Sequence, residues 1–211
     1  MQFSVQLNDV LRLLPFVVPI KDTAIKRLAG LGVRLEVAPG GGTLLMATDG
    51  PTLGAFHDPN GSVSWASGES FLIPVSVITA AKAATSANQR RTNTLRLECT
   101  EKDGEIVMVD ATLGHRMLLG RVPQRVPMLQ WKRFIDRDYT DGLGSEVSRI
   151  DFRLLERFTL GKKKKALLRF MFHAESRVIR VIVKNEPRFF GALSPLSSKG
   201  EGLEADWTGQ A

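Results

Sequence analysis

The stretch SFLIPVSVITAAKAA, residues 70–84, joins a strand directly to a helix. Ser70–Ile73 is an apolar run typical of a buried strand, and Pro74 suits the first turn of a helix, where its missing N–H needs no partner. The Ala-rich segment Val75–Ala87 predicts the helix itself. Three strands are predicted to follow it: Thr94–Cys99, Glu105–Ala111 and Arg116–Val122. Residues 70–122 therefore predict one β-α-β-β-β unit.

The same order of elements occurs on both sides of this stretch. Upstream, Gln2–Leu7 alternates like a strand, Asn8 or Asp9 offers an N-cap, and Val10–Leu14 has helical spacing. Three predicted strands complete that unit: Leu31–Val37, Thr43–Thr48 and Thr52–His57. Downstream, the elements of a third unit are a strand Val147–Ile150, a cap at Asp151, a helix Phe152–Phe158, and strands Lys165–His173, Val178–Lys184 and Phe189–Leu193.

Three copies of so small a unit cannot each bury a core, so they are expected to share continuous sheets. The sequence predicts an α+β fold of repeated β-α-β-β-β units with the helices on one side of antiparallel sheets. Residues 1–127 are predicted to form one complete domain of two units, and residues 128–196 a partial second domain of one unit. Residues 197–211, which include Trp207, are predicted to be a disordered tail.

The composition indicates the cellular compartment and argues against a membrane partner. No apolar run approaches the roughly 20 residues of a membrane-spanning helix, and no secretory signal follows Met1. The single cysteine, Cys99, excludes an internal disulfide, so we expect a cytoplasmic protein without a membrane partner.

The positive charge is concentrated in one region. Residues 1–120 carry 11 Lys and Arg and 11 Asp and Glu, whereas residues 121–198 carry 17 cationic and 8 anionic side chains. Such an imbalance favours a polyanionic partner such as nucleic acid. A basic domain without a polyanionic ligand is the alternative.

Four short segments occur in a fixed order on this repeating background: Ala47-Thr48-Asp49-Gly50 with Leu53, Phe71–Pro74 at a helix start, Val126-Pro127, and Phe189–Leu196. In type and order they resemble motifs of the bacterial DNA polymerase III sliding clamp. The chain departs from that pattern where Pro51-Thr52 replaces a His-Arg pair and Val75 replaces an Arg. It also shows three units, where a bacterial clamp has six, so it resembles a divergent and shortened clamp.

The resemblance implies that the helices line a surface for duplex DNA. The cations that it places there are Arg12, Lys82, Arg90, Arg91, Arg153, Arg157, Lys162, Lys163, Lys164 and Lys165. Arg153 and Arg157 are four residues apart and are predicted to share the outer face of the third helix. The lysine run has a second interpretation, a solvated cluster that caps the helix C-terminus.

The resemblance also implies an apolar pocket for short peptide motifs of polymerases and other replication or repair proteins. Its residues would be Thr48, Gly50, Leu53, Pro127, Leu193, Pro195 and Leu196. Each of them, taken singly, also suits ordinary core packing.

These observations predict a non-enzymatic processivity or tethering factor that binds duplex DNA without sequence specificity, needs no cofactor and can form a homo-oligomer. An adaptor that binds DNA or protein without forming a ring is the alternative. A nuclease using Asp49 and Asp110 around a metal is a third hypothesis. The other reactive side chains, His57, His115, His173 and Cys99, lack the spacing of a metal or nucleophile motif.

Overall fold

The computed structural model describes residues 2–17, 32–64, 70–99, 104–121, 124–126, 140–141, 150, 152–160, 166–173 and 176–194. Several predicted features lie outside the described residues: Pro127, Lys162–Lys165, Pro195, Leu196, the tail 197–211 and most of the strand 147–150. Only the backbone is described for Arg91 and His173.

The first two units have the predicted order of elements. The first comprises β1 (Phe3–Gln6), α1 (Leu7–Leu13), a 3-10 turn (Leu14–Phe16), β2 (Gly32–Val37), β3 (Thr43–Thr48), β4 (Thr52–Asp58) and the short β5 (Ser62–Val63). The second comprises β6 (Ser70–Pro74), α2 (Val75–Ala83), α3 (Ala87–Arg91), β7 (Leu95–Cys99), β8 (Glu105–Asp110) and β9 (Arg116–Arg121), followed by β10 (Gln124–Val126).

From its helix onward, the third unit has the predicted order of elements. After β11 (Thr140–Asp141), it comprises α4 (Phe152–Glu156), a 3-10 turn (Arg157–Thr159), β12 (Leu168–His173), β13 (Ser176–Val183) and β14 (Phe189–Leu193). None of the described helices is long and apolar enough to cross a lipid bilayer.

The strands form two antiparallel sheets in the described part of the chain. The five-stranded sheet has the order β5-β1-β7-β8-β9, and the nine-stranded sheet has the order β10-β6-β2-β3-β4-β14-β13-β12-β11. The first strand of each of the first two units pairs with the other unit: Phe3 lies opposite Cys99, and Val33 lies opposite Ile73. This exchange interlocks the two units and confirms the predicted α+β class.

The third unit joins the first through a junction between β4 and β14. Thr52 pairs with Leu193, Gly54 with Gly191, and Phe56 with Phe189. The nine-stranded sheet therefore runs without a break from the first unit into the third, as expected for units that share a core.

Two glycines at the centre of this junction accommodate aromatic rings. A Cβ on Gly54 would lie 2.8 Å from the Phe16 ring, and one on Gly191 would lie 2.6 Å from the Phe158 ring. Both rings are fully buried, and their centroids are 5.2 Å apart in an edge-to-face arrangement. Because each ring follows the helix of its own unit, the junction has a local two-fold character.

The predicted single helix Val75–Ala87 is wrong at its C-terminal end. The helix ends at Ala83, and Ser86 then forms a capping box in which its hydroxyl accepts from the Gln89 N–H at 3.2 Å and the Gln89 side chain accepts from the Ser86 N–H at 2.9 Å. A new short helix, α3, therefore begins at Ala87.

Candidate functional site

The turn between β3 and β4 is fixed by its own side chains. The Thr48 hydroxyl donates to the Thr52 carbonyl at 2.7 Å and accepts from the Gly50 N–H at 3.1 Å. Asp49 Oδ1 accepts from the Thr52 N–H at 3.0 Å and from its hydroxyl at 2.6 Å. Gly50 has a φ of 101°, a left-handed conformation that favours glycine. The motif Ala47-Thr48-Asp49-Gly50 therefore specifies one rigid turn.

A buried arginine from the third unit supports this turn from inside. Arg157 Nη1 lies 2.5 Å from Asp49 Oδ2 and donates to the Thr52 hydroxyl at 3.1 Å. The Arg157 side chain is 7% exposed and that of Asp49 is 1% exposed. Burial lowers the pKa of Arg157, and the charge of Asp49 opposes that change. The ion pair therefore ties the third unit to the turn of the first.

Arg157 does not occupy the exposed face on which the sequence spacing placed it. It lies on the 3-10 turn after α4, and Arg153 lies on α4 itself. The α-helical rule that groups residues four apart fails across this change of geometry. Arg153 is exposed, whereas Arg157 is buried.

A small apolar cluster covers the outer face of the β4–β14 junction. It is formed by Ala38, Leu44, Met46, Leu53, Ala55 and Ala192, and the half-buried Val178 and Phe190 pack against it. Leu193 belongs instead to the main core, where it is fully buried. Of the predicted pocket residues, Leu53 and Leu193 thus face opposite sides of the sheet.

Ala192 and Phe190 are the two residues of β14 on this face, and neither is among the predicted pocket residues. The alternation of side chains along a strand identifies both, because residues two apart share a face. The end of β14 nevertheless lies beside the turn, since the Ser194 N–H donates to the Pro51 carbonyl at 2.8 Å. Thr48, Gly50, Leu53 and the end of β14 are therefore brought together.

Two of the predicted DNA-binding arginines are engaged inside the protein. Arg12 Nη2 lies 2.7 Å from Glu186 Oε1, and its guanidinium stacks 4.4 Å from the centre of the Phe56 ring. Arg90 donates to the Thr85 carbonyl and, at 3.1 Å, to the Lys82 carbonyl, so it caps the end of α2. No residue of α1 is exposed.

Lys82 and Arg153 are the exposed side chains among the predicted DNA-binding residues that the structure describes. Lys82 shares the outer face of α2 with the small or polar Ser76, Thr79 and Ala83. The described helices therefore present little positive charge of their own.

The opposite end of the junction holds a second group of ion pairs beside a cavity of about 310 Å³. Arg188 donates to both carboxylate oxygens of Asp9, at 2.6 and 3.1 Å. Burial raises the pKa of Asp9, although Arg188 and Arg12 act against the change. The cavity is lined by Gln6, Asp9, Asp58, Pro59, Asn60, Asn93 and Arg188.

The side chains weighed for catalysis have structural contacts. Asp110 accepts from the N–H groups of Thr112 and Leu113, and His57 Nε2 donates to the Gly41 carbonyl at 2.8 Å. Burial raises the pKa of Cys99, which favours the thiol form. Within the described ranges, no three potential ligands are grouped as a metal site would need.

The architecture described above, interlocked β-α-β-β-β units in shared antiparallel sheets, is that of the bacterial DNA polymerase III β sliding clamp. No protein-family model matches the sequence, and a sequence comparison with curated proteins gives no match. The likeness is found among solved structures and extends over most of the chain.

Three of these structures illustrate the match. The β sliding clamp of Caulobacter crescentus is 17% identical, with a TM-score of 0.57, and the match covers 92% of this chain and 65% of the clamp. The β subunit of Borrelia burgdorferi, solved with a natural product, gives 10% identity, a TM-score of 0.61 and coverage of 94% and 64%. The β subunit of Pseudomonas aeruginosa is 14% identical, with a TM-score of 0.54, and the match covers 93% of this chain and 66% of that subunit. The chain thus spans about 65% of the length of these clamps, and at such identities the likeness establishes the fold.

Proposed function

We propose that this chain is a non-enzymatic, clamp-like tethering factor that holds replication or repair proteins on duplex DNA in the cytoplasm. The observation that carries the proposal is the clamp fold itself, with an apolar outer face placed beside the rigid turn of Thr48–Leu53. The solved clamps to which it is similar are subunits of DNA polymerase III.

The docking site we propose is the outer face of the β4–β14 junction. Leu53 and Ala192, which are 7% and 3% exposed, would form its floor, and the half-buried Phe190 would form one side. Gly50 is exposed, and without a side chain it permits close approach of a bound peptide. Short motifs with apolar side chains suit such a surface because burial of apolar area favours association. Pro127, Pro195 and Leu196 remain predicted members of this site.

A peptide-binding measurement tests this site. A fluorescent synthetic peptide carrying the clamp-binding motif of a bacterial polymerase should bind the full chain, and Phe190→Ala should weaken binding about tenfold because an apolar wall is lost. Leu167→Lys is the matched control, since Leu167 is an exposed apolar residue outside the cluster. Equal binding by both variants would contradict the site.

For DNA, we propose contact with phosphates through exposed cations, including Lys82, Arg153 and the run Lys162–Lys165. Such contacts are independent of base sequence and leave the protein able to slide. Arg91 remains a predicted contact, whereas the internal contacts of Arg12, Arg90 and Arg157 make them supporting residues.

Replacing Lys82 and Arg153 together by Glu should reduce the salt dependence of duplex binding by about one unit per lost contact. Lys184→Glu, at an exposed position on the β13–β14 turn, is the control.

The adaptor hypothesis is the second candidate. It is favoured by the small number of exposed cations: among the predicted DNA-binding residues whose side chains the structure describes, Lys82 and Arg153 are exposed and the others are not. A closed ring stays on a circular duplex and slides off after linearisation, whereas an adaptor binds both forms alike. Retention on circular and linearised plasmid, with the oligomeric state from light scattering, distinguishes the two.

A further inference from the structure

The third strand after the helix in each of the three units is β4, β9 or β14, and the outer edges of these strands are paired differently. β4 of the first unit and β14 of the third pair with each other along their edges. β9 of the second unit is the last strand of the five-stranded sheet, and no strand of the described chain pairs with its outer edge. β4 and β14 thus cover each other's outer edges, whereas no strand in the described part of the chain covers the outer edge of β9.

Exposed apolar side chains are concentrated on β9 and on the β8–β9 turn, to which Leu113 belongs. Leu113 is 64% exposed, Met117 is 48% exposed and Leu118 is 55% exposed. Among the described residues, these are three of the five large apolar side chains that are exposed. An unpaired edge with exposed apolar residues is a template for another strand, and natural proteins usually protect it.

The charges at the two ends of β9 indicate which strand would fit. Arg116 and Arg121 are both exposed and stand at its first and last positions. On its inner edge, β9 pairs with β8, whose sequence EIVMVD is apolar in the middle and acidic at both ends. Glu105 of β8 lies directly opposite Arg121. Opposite charges in facing positions stabilise a strand pair.

A second copy of the chain is a poor partner for this edge. The corresponding strands of another copy, β4 and β14, are already paired with each other. Two β9 strands in full antiparallel overlap would place Arg116 opposite Arg121 at both ends, and like charges in facing positions are destabilising.

We infer that the outer edge of β9 is a docking site for an extended segment of another protein, apolar in its centre and acidic at both ends, which adds as a strand to the five-stranded sheet. Main-chain hydrogen bonds would hold it, Met117 and Leu118 would pack on its apolar centre, and Arg116 and Arg121 would face its acidic ends. This edge lies on a different sheet from the proposed peptide site, and its role does not depend on that site.

The test uses the full chain and two labelled peptides in fluorescence polarisation. The acidic-ended probe has the β8 sequence EIVMVD, and the matched probe has Lys at both ends, KIVMVK. The wild-type protein should bind the acidic-ended probe about tenfold more tightly. The double variant Arg116→Glu/Arg121→Glu should reverse this preference, a result that loss of folding cannot produce. The substitution removes the surface ion pair between Arg116 and Glu98 at 3.7 Å, and it places a glutamate opposite Glu105 of β8.

Three outcomes would overturn the inference. They are failure of the wild-type chain to bind the acidic-ended probe, equal affinity for the two probes, and a preference that survives the charge reversal. Light scattering measures whether the chain forms a dimer. A dimer that the Leu118→Lys substitution dissociates would show that a second copy, rather than a segment of another protein, covers the edge.

Discussion

The two ends of the β4–β14 junction hold the third unit with the same pair of residue types in different surroundings. At one end Arg157 meets Asp49, and both side chains are almost free of solvent. At the other end Arg188 meets Asp9, where the arginine side chain is 38% exposed and a cavity opens beside it. In each contact the arginine belongs to the third unit and the aspartate to the first.

The difference shows how burial determines the contribution of an ion pair to the stability of the fold. At the closed end, both charges are almost fully removed from water, so solvent does not replace the ion pair when one of the two residues is lost. In the open end, water reaches Arg188 and screens the interaction. We therefore expect the first contact to determine the shape of the proposed docking site and the second to add little.

The largest effect should come from breaking the closed end. Asp49→Ala leaves the Arg157 guanidinium buried without its carboxylate, and loss of one partner of such a pair costs about 3–5 kcal/mol. Urea unfolding gives the change in the free energy of unfolding. The double variant Asp49→Ala/Arg157→Met should recover part of the loss, because it removes both charges. A double variant that loses as much as the two single variants added together would contradict this account.

A smaller effect is expected at the centre, between the two ends. Gly191→Ala introduces a Cβ against the buried Phe158 ring, and overpacking of this kind costs about 1–3 kcal/mol. Combining it with Phe158→Leu should restore part of the stability. Gly40→Ala is the control, since a Cβ there meets no atom within 4 Å. Equal melting temperatures for the Gly191 and Gly40 variants would show that the rings do not require the glycine.

At the open end, Arg188→Leu should cost about 1 kcal/mol or less, because the side chain is partly solvated and Arg12 remains 3.8 Å from Asp9. The loss should shrink further as salt is added. Urea unfolding at low and high ionic strength measures both. A loss as large as that of Asp49→Ala would remove the distinction between the two ends.

The smallest effect concerns the pH dependence of the open end. Burial raises the pKa of Asp9 in the folded protein above its ordinary value of 3.8, so the folded state holds this proton more tightly than the unfolded state. The stability that the proton contributes is complete below that value and is lost as the pH rises through the raised pKa. The free energy of unfolding of the wild type, relative to Asp9→Asn, should therefore fall as the pH is raised from about 4 to 7. A relative stability that rises over this range would show that the attraction of Arg188 dominates.

Local patterns predicted the elements well. The alternation of Gln2–Leu7 and the strand-to-helix transition at Pro74 depend on neighbouring residues alone, and the structure has a strand at Phe3–Gln6 and a helix that begins at Val75. The exposure of Lys82 also followed from its position on an Ala-rich helix. The capping box at Ser86 was readable from Ser86 and Gln89, three residues apart, and was overlooked.

The junction could not be predicted in this way. The pairing of Gly54 with Gly191 brings together distant parts of the chain, and nothing local to either glycine names its partner. The burial of Arg157 follows from that pairing, because the turn containing Asp49 comes to lie over the 3-10 turn after α4. Leu193 was assigned to the pocket by motif, although strand alternation places it with the core.

The exchange of first strands determines when this protein can fold during its synthesis. β1 lies between the short β5, where Val63 faces Phe3, and β7, where Cys99 faces Phe3, so nearly half of the chain must leave the ribosome before the earliest strand has its longer neighbour. Until then, the helix α1, which carries Leu7 and Val10, can pack on β3 and β4 but not on α2 and β7. Closing so long a loop slows formation of the native strand pairing, so apolar surface stays exposed to solvent for a longer time. The first unit, translated alone, should therefore depend on chaperones to stay soluble. Once the second unit has been synthesised, the two units should fold together.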